Sequence, residues 1–148
     1  QAVEKFGETQ VHQWRRGYAV QPPLVERDDP DFPGFDARYA GVPQAELPRG
    51  ESLKDVSART LPYWQSDIVP AIKARKKVLI SAHGNSLRAL LKHLEGLSED
   101  EIEGINLPTG VPKVYTLNDR MLSAETHFHG DPAEIGARIK SVANQTKR

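Results

Sequence analysis

A histidine stands between two different patterns in the stretch VLISAHGNSLRALLKHL, residues 78–94. Before it, KKVLISA (76–82) is an apolar run behind two lysines, which predicts a strand buried on both faces, as in a parallel sheet. After it, leucines at helical spacing predict a helix that faces the core: Leu87, Leu90, Leu91 and Leu94. Ligands gather at the carboxyl ends of strands in open α/β sheets, and a helix N-terminus favours anions. His83 is therefore a candidate to hold a phosphate oxygen or to donate a proton to one. The alternative is a structural histidine beside an ordinary cap.

The residues that follow His83 fit an anion site. Gly84 has no Cβ that would keep an anion away from the backbone. Asn85 is a good N-cap for the helix and a further hydrogen-bond donor. Ser86 lacks the flanking glycines of the G-x-S-x-G elbow, so a serine hydrolase is a poor interpretation.

Arg15 and Arg16 form a second candidate site for an anion. A guanidinium is a planar, permanently charged donor suited to phosphate and carboxylate. Adjacent helix residues point about 100° apart, so two such side chains grip one anion only near a helix end, where the chain bends away. Gly17 supplies such a bend. Two solvated arginines on a helix flank are the more common arrangement, and His12 on the same face fits a surface histidine.

A metal site is not expected from this sequence. His127 and His129 alternate like residues on one face of a strand, but no third ligand has suitable spacing, and the chain has no cysteine. The 148 residues carry 20 basic and 20 acidic side chains, so no overall charge favours nucleic acid or a membrane surface. No apolar run is long enough to cross a bilayer. The composition fits a cytoplasmic protein.

The remaining patterns predict an α/β protein of one domain. A helix is expected over 2–16, with Gly17 as its end, and another from 132 near the C-terminus, started by the Asp131-Pro132 pair. Capping boxes at Ser52/Asp55 and Ser98/Glu101 predict two more helix starts, and Pro62 and Pro70 predict a kink or two abutting helices after the first box. KVYTL reads as a strand, followed by a turn and a weaker strand.

A long segment, residues 18–50, has no periodicity and holds six of the eleven prolines. A loop of this length is unusual inside a compact domain. It is either a lid, an interface or a wrapping segment, or an ordinary surface excursion.

Together these stretches resemble a known family. GETQVHQWRRGYAVQPP, ELPRGESLKDV, VLISAHGNSLRALLKHLEGLSEDEI and LPTGVPKVY are similar to the cofactor-dependent phosphoglycerate mutases of the histidine phosphatase superfamily. The resemblance covers nearly the whole chain but only a little more than the C-terminal half of the family sequence. It implies that 1–148 is the C-terminal part of a single mutase domain, with 18–50 as a long Pro-rich loop and 132–148 as a C-terminal helix and tail. The implied fold is the C-terminal portion of a three-layer α/β/α structure with a mostly parallel sheet.

The resemblance also implies an activity and its residues. The family interconverts 2-phosphoglycerate and 3-phosphoglycerate through a phosphohistidine, without a metal, with 2,3-bisphosphoglycerate as primer and intermediate. His83 matches the second active-site histidine, which stabilises the phosphoryl group during transfer. Gly84 and Asn85 match positions that contact the bisphosphate. Arg15 and Arg16 match the pair that binds the far phosphate and the carboxylate. Family members are commonly homodimers or homotetramers.

One departure from the family is large. The nucleophilic histidine of the family lies in an Arg-His-Gly-Glu motif, and this motif does not occur in the chain. The acid/base glutamate, a further arginine and a lysine of the family also match no position here, and its first strand is missing, which leaves an open sheet edge. We therefore expect a truncated or cleaved enzyme that is inactive alone. Two alternatives stay open: a bisphosphoglycerate synthase/phosphatase or other histidine phosphatase, and an inactive fragment that binds phosphorylated ligands.

Overall fold

The computed structural model describes residues 2–144 as helices around a small sheet. The α-helices of this range are α1 (Ala2–Phe6), α2 (Glu8–Arg16), α3 (Leu53–Tyr63), α4 (Val69–Lys73), α5 (Gly84–Glu95), α6 (Glu99–Glu103) and α7 (Pro132–Ala143). The strands are β1 (Lys113–Leu117) and β2 (Ser123–Phe128). Within residues 2–144, no helix is long and apolar enough to span a membrane. The last four residues of the predicted 132–148 helix and tail lie outside the described range.

The predicted N-terminal helix is divided in two. Gly7 has a φ of 79°, a left-handed value that ends α1 before α2 begins. The rings of Phe6 and Trp14 hold the two pieces together, with centroids 4.9 Å apart in an edge-to-face arrangement. Gly17 ends α2 as expected, and a Cβ at this position would lie only 2.6 Å from the carbonyl oxygen of Gln13. Glycine at position 17 therefore lets the chain turn away tightly after Arg16.

Both predicted capping boxes are confirmed. Ser52 Oγ accepts from the Asp55 N–H at 3.3 Å, and Asp55 Oδ2 accepts from the Ser52 N–H at 2.9 Å. Ser98 and Glu101 make the same reciprocal pair at the start of α6.

The predicted interruption after α3 is also confirmed: Trp64–Ile68 forms a π-helical turn between Pro62 and α4. Proline lacks the N–H that continues a regular helix, which accounts for the changed hydrogen-bond pattern.

The core lies against both ends of α5. One cluster joins α3, α5 and α6 through the buried side chains of Leu53, Val56, Ala89, Leu91 and Ile102. A second cluster joins the π-helical turn, α4 and the end of α5 through Trp64, Val69 and Leu94. The predicted core-facing helix is therefore the element on which the others pack.

The segment over 18–50 has the predicted lack of regular structure. It contains two short 3₁₀ turns, Pro33–Phe35 and Ala37–Tyr39. Phe32 is 2% exposed, and the two ends of the excursion are joined where the Val25 N–H donates to the Arg49 carbonyl at 2.9 Å. The segment thus packs on the protein, and a role as a lid or interface stays a prediction.

The predicted parallel sheet is not present among residues 2–144. The sheet there has two antiparallel strands, with Lys113 opposite Phe128 and an irregularity between Thr116 and Leu117. Residues 76–82 are in no ladder, and Leu79 is 88% exposed, so the prediction of a strand buried on both faces is wrong for this structure. A strand needs neighbours for its backbone hydrogen bonds, and none of the described segments supplies them. The coarser assignment, a mixed helix and sheet protein, is confirmed.

An apolar cavity of about 560 Å³ lies beside the unpaired segment. Its walls include Val78, Leu79 and Ile80 on one side and strand β1 on the other. Leucines of α5 and the ring of Trp64 also line it. The indole N–H of Trp64 is buried and has no acceptor among the described residues. The cavity thus lies between the unpaired segment 78–80 and β1, which is paired only with β2 among the described residues.

We expect Ser52→Ala to lower the free energy of unfolding by about 1 kcal/mol, because it removes the buried half of a capping box. Urea denaturation followed by circular dichroism measures the change. Ser98→Ala, in the exposed box of the five-residue α6, is the matched comparison and should cost less. An unchanged urea midpoint for Ser52→Ala would show that the box does not hold α3.

Candidate active site

His83 is the N-cap of α5. Its backbone is extended, at φ −60° and ψ 146°, and its Nδ1 accepts a hydrogen bond from the Asn85 N–H at 3.3 Å. The expectation that Asn85 caps this helix is therefore wrong. An imidazole nitrogen two residues before a backbone N–H satisfies one of the unpaired donors of the first turn, as a serine or asparagine oxygen does elsewhere.

The cap fixes which imidazole nitrogen is the donor. Because Nδ1 accepts, the proton of the neutral ring lies on Nε2. His83 is exposed, so this N–H donor is available at the surface beside the positive end of α5. The Nε2–H, on the side of the ring away from the cap, can therefore donate to an anionic oxygen.

Gly84, the first residue of α5, borders open space. A Cβ built on it would meet no atom within 4 Å. An oxyanion can therefore approach the backbone of the first turn from this side. The geometry fits the predicted role of Gly84, which stays a prediction.

Arg88 brings the two predicted anion sites together. Its side chain is buried, at 3% exposure, and reaches from α5 to the end of α2. Nη1 donates to the Arg15 carbonyl and to Asn85 Oδ1, both at 3.4 Å, and Nη2 donates to the Arg16 carbonyl at 2.9 Å. The backbone of Arg15 and the amide of Asn85 thus share one guanidinium nitrogen. The end of α2 and the beginning of α5 form one surface.

The two arginines at the end of α2 are not equivalent. Arg15 is exposed. Arg16 is partly buried, and its Nη2 donates to the carbonyl of Val142 in α7 at 3.3 Å. Burial, with a smaller contribution from the charge of Arg15, lowers the pKa of Arg16. Arg15 is therefore the side chain open to a ligand, whereas Arg16 also anchors α7.

The site carries a concentrated positive charge. Burial and then the charge of Arg16 lower the pKa of Arg88 to about 10, while Glu103 acts in the opposite direction. The guanidinium is still charged at neutral pH. Arg15 repels Arg16, and Arg16 repels Arg88, so an anion bound beside these residues would offset their repulsion.

The other candidate histidines lie on the surface. His12 is exposed on α2, and His127 and His129 are exposed at the end of β2. Throughout residues 2–144, no three metal-ligating side chains come together.

Arg88 is the site residue that spacing alone does not single out. The signal was present, because Arg88 lies three residues before Leu91, on the buried side of a leucine-rich helix. A charged residue on an apolar face needs a partner, and the partners here are backbone carbonyls that no sequence motif marks.

A comparison with protein families agrees with this geometry. The model described as the histidine phosphatase superfamily (branch 1) matches residues 5–127. The match includes α2, α5 and the site formed between them, and it ends before α7.

We expect Gly84→Ala to separate ligand binding from stability. Alanine is the better helix former by roughly 1 kcal/mol and meets no neighbouring atom, so the fold should be retained or slightly stabilised. If an anion approaches the helix start here, the added methyl group would occupy its space, so binding of a phosphorylated ligand should weaken. Isothermal titration calorimetry measures the affinity.

Gly136→Ala in α7 is the matched control, because a Cβ there also meets no atom within 4 Å. It should change stability in the same direction and leave affinity unaltered. Equal affinities for the two variants would place the anion elsewhere.

Proposed function

The chain belongs to the histidine phosphatase superfamily, branch 1, and we propose that it is the larger part of a phosphoglycerate mutase. In this proposal the enzyme interconverts 2-phosphoglycerate and 3-phosphoglycerate through a phosphohistidine, in glycolysis and gluconeogenesis. His83 stabilises the phosphoryl group, and Arg15, Arg16, Gly84 and Asn85 bind the substrate.

One observation carries the proposal: the hydrogen bonds of Arg88 place Arg15 and Arg16 beside the start of α5. The backbone at the end of α2 is therefore held next to the start of α5, and the proposal places the anion donors of the two sequence motifs on one surface. Phosphoryl transfer depends mainly on positioning and charge stabilisation, and this surface supplies fixed donors for both.

The donor set fits a ligand with two anionic groups. Arg15 supplies a planar guanidinium suited to carboxylate or phosphate, and the start of α5 supplies backbone N–H groups and the His83 ring for a second group. Phosphoglycerates and 2,3-bisphosphoglycerate both have this character. Bound here, the bisphosphate would serve as the source of the phosphoryl group that primes the enzyme.

The chain's own residues do not supply the nucleophile. Because the sequence contains no Arg-His-Gly-Glu, the proposal assigns the nucleophilic histidine to no residue of this chain. Within the chain, His83 donates through Nε2 to a phosphoryl oxygen, Arg15 orients the far end of the substrate, and Arg16 adds positive charge while it anchors α7.

We propose that the nucleophile arrives on a strand seated in the apolar cavity. Val78, Leu79 and Ile80 line the cavity and lead directly to His83, so a strand parallel to them would end beside that histidine. Such a strand could form hydrogen bonds with the unpaired backbone of residues 78–82 and pack against apolar walls on both sides. It could also accept a hydrogen bond from the Trp64 N–H, which has no acceptor in the described range.

A second candidate function, a module that binds phosphorylated ligands without turnover, is favoured by the missing motif alone. A bisphosphoglycerate synthase/phosphatase differs from a mutase only in relative turnover, so measuring the three activities together distinguishes them. Binding by the chain without any turnover, even when the nucleophile is supplied, would favour the module.

We expect Arg15→Ala to weaken binding of 3-phosphoglycerate about 10- to 100-fold, the loss of one hydrogen bond between charged groups. Arg15 is the cleaner target because Arg16 also contacts α7. Calorimetric titration measures the affinity. Arg120→Ala, in the exposed β1–β2 turn, is the matched control and should bind as the unsubstituted chain does. Equal loss in both variants would indicate only a general effect of charge.

We expect His83→Asn to abolish most turnover while it preserves the fold. Asparagine is a good N-cap, so α5 keeps its start, whereas His83→Ala loses both the ring and the cap. In the polypeptide that carries the nucleophile, kcat should fall about 10²- to 10⁴-fold. Labelled 2,3-bisphosphoglycerate should still give an acid-labile phosphoprotein. Unchanged kcat would remove His83 from its role, and no labelling of the unsubstituted enzyme would refute the mutase.

A further inference from the structure

Arg88 is a buried charge with no carboxylate among its hydrogen-bond partners in the described residues, although the charge of Glu103 opposes the lowering of its pKa by burial. Its Nη1 and Nη2 donate to the carbonyls of Arg15, Arg16 and Ile102 and to the amide oxygen of Asn85, and its Nε has no acceptor there. Removing a guanidinium from water is costly, and a leucine would fill an apolar helix face at lower cost. Packing alone therefore gives no reason for an arginine at this position.

Three of the four acceptors lie in the last turns of helices. Arg15 and Arg16 end α2, and Ile102 is the penultimate residue of α6, whose carbonyl accepts from Nη2 at 2.7 Å. Carbonyls in a last turn lack partners within their helix and carry the negative end of its dipole. One cation in α5 thus contacts the ends of two other helices, although the Ile102 carbonyl also accepts from the Ile105 N–H at 3.2 Å.

We infer that Arg88 is a positioning residue that sets the spacing between the Arg15–Arg16 pair and the His83–Asn85 start of α5. That this spacing serves substrate binding rests on the proposed function, whereas the contacts of Arg88 with α2 and α6 do not depend on it. Lysine would carry the charge without the planar fork that reaches α2, α6 and Asn85 at once.

Asn85 is part of the same arrangement. A guanidinium is a donor only, so the amide of Asn85 must turn its oxygen toward Arg88, at 3.4 Å from Nη1. The NH2 end of the amide then points away from Arg88, as a donor. Arg88 thereby fixes the orientation of one predicted ligand contact as well as the distance between two others.

The test compares Arg88→Met, Arg88→Lys and a control, Leu91→Ala. Leu91 is buried one turn along α5, at 3% exposure, and is not a hydrogen-bond partner of Arg88, so its truncation destabilises the core without removing the guanidinium. Two quantities are measured in each variant, under conditions where all are folded: amide hydrogen exchange across α2, and affinity for 3-phosphoglycerate by calorimetry.

We expect Arg88→Met to accelerate amide hydrogen exchange in α2. It should also weaken 3-phosphoglycerate binding, about tenfold more than Leu91→Ala does, because one hydrogen bond between charged groups is displaced. The exchange rate in α2 and the affinity of Arg88→Lys should both lie between those of Arg88→Met and those of the unsubstituted chain. If the methionine variant does not fold, the lysine variant still tests the inference. Unchanged exchange in α2 would overturn the inference. So would a loosened α2 with an affinity equal to that of Leu91→Ala, since Arg88 would then be only structural.

The proposed function fails separately. If the unsubstituted chain does not bind 3-phosphoglycerate, the assignment of Arg15, Arg16, Gly84 and Asn85 as substrate contacts of this chain is refuted, while the exchange measurement still decides whether Arg88 holds α2.

Discussion

A guanidinium that is almost fully removed from solvent needs hydrogen-bond acceptors, and in this protein that requirement connects three helices. The two terminal nitrogens of Arg88 donate to carbonyls in the last turns of α2 and α6, while its Nε has no acceptor among the described residues, so both helices are tied to α5. Arg16 repeats the arrangement by donating to a carbonyl in the last turn of α7. Cations at helix C-termini are electrostatically favourable, and here they also keep positive charge close to the proposed anion site.

Helix starts were predictable because their chemistry is local. Ser52 with Asp55, Ser98 with Glu101, and Asp131 with Pro132 each carry the information within four residues, and each begins a helix as expected. The strand pair was predictable from its short apolar alternation and turn. The break at Gly7 was not, because a single glycine within a helical pattern is compatible with either outcome.

Interactions between distant segments explain the remaining differences. Arg88 contacts residues more than seventy positions away, and no spacing rule connects them. His83 rather than Asn85 caps α5, although asparagine has the stronger average preference, because the ring nitrogen reaches the helix backbone. Residues 76–82 have the composition of a buried strand, but composition cannot provide the neighbours that make one.

The unpaired 78–80 segment has a consequence for how the chain behaves in solution. With Leu79 88% exposed and its backbone in no ladder, these residues present a short, uncharged template to which another chain can add edge to edge. Lys76 and Lys77 stand just before it as charged gatekeepers, the kind of residue that limits such growth. The yield of the isolated chain and its tendency to precipitate on concentration are therefore set by a few residues just before His83 more than by its overall composition.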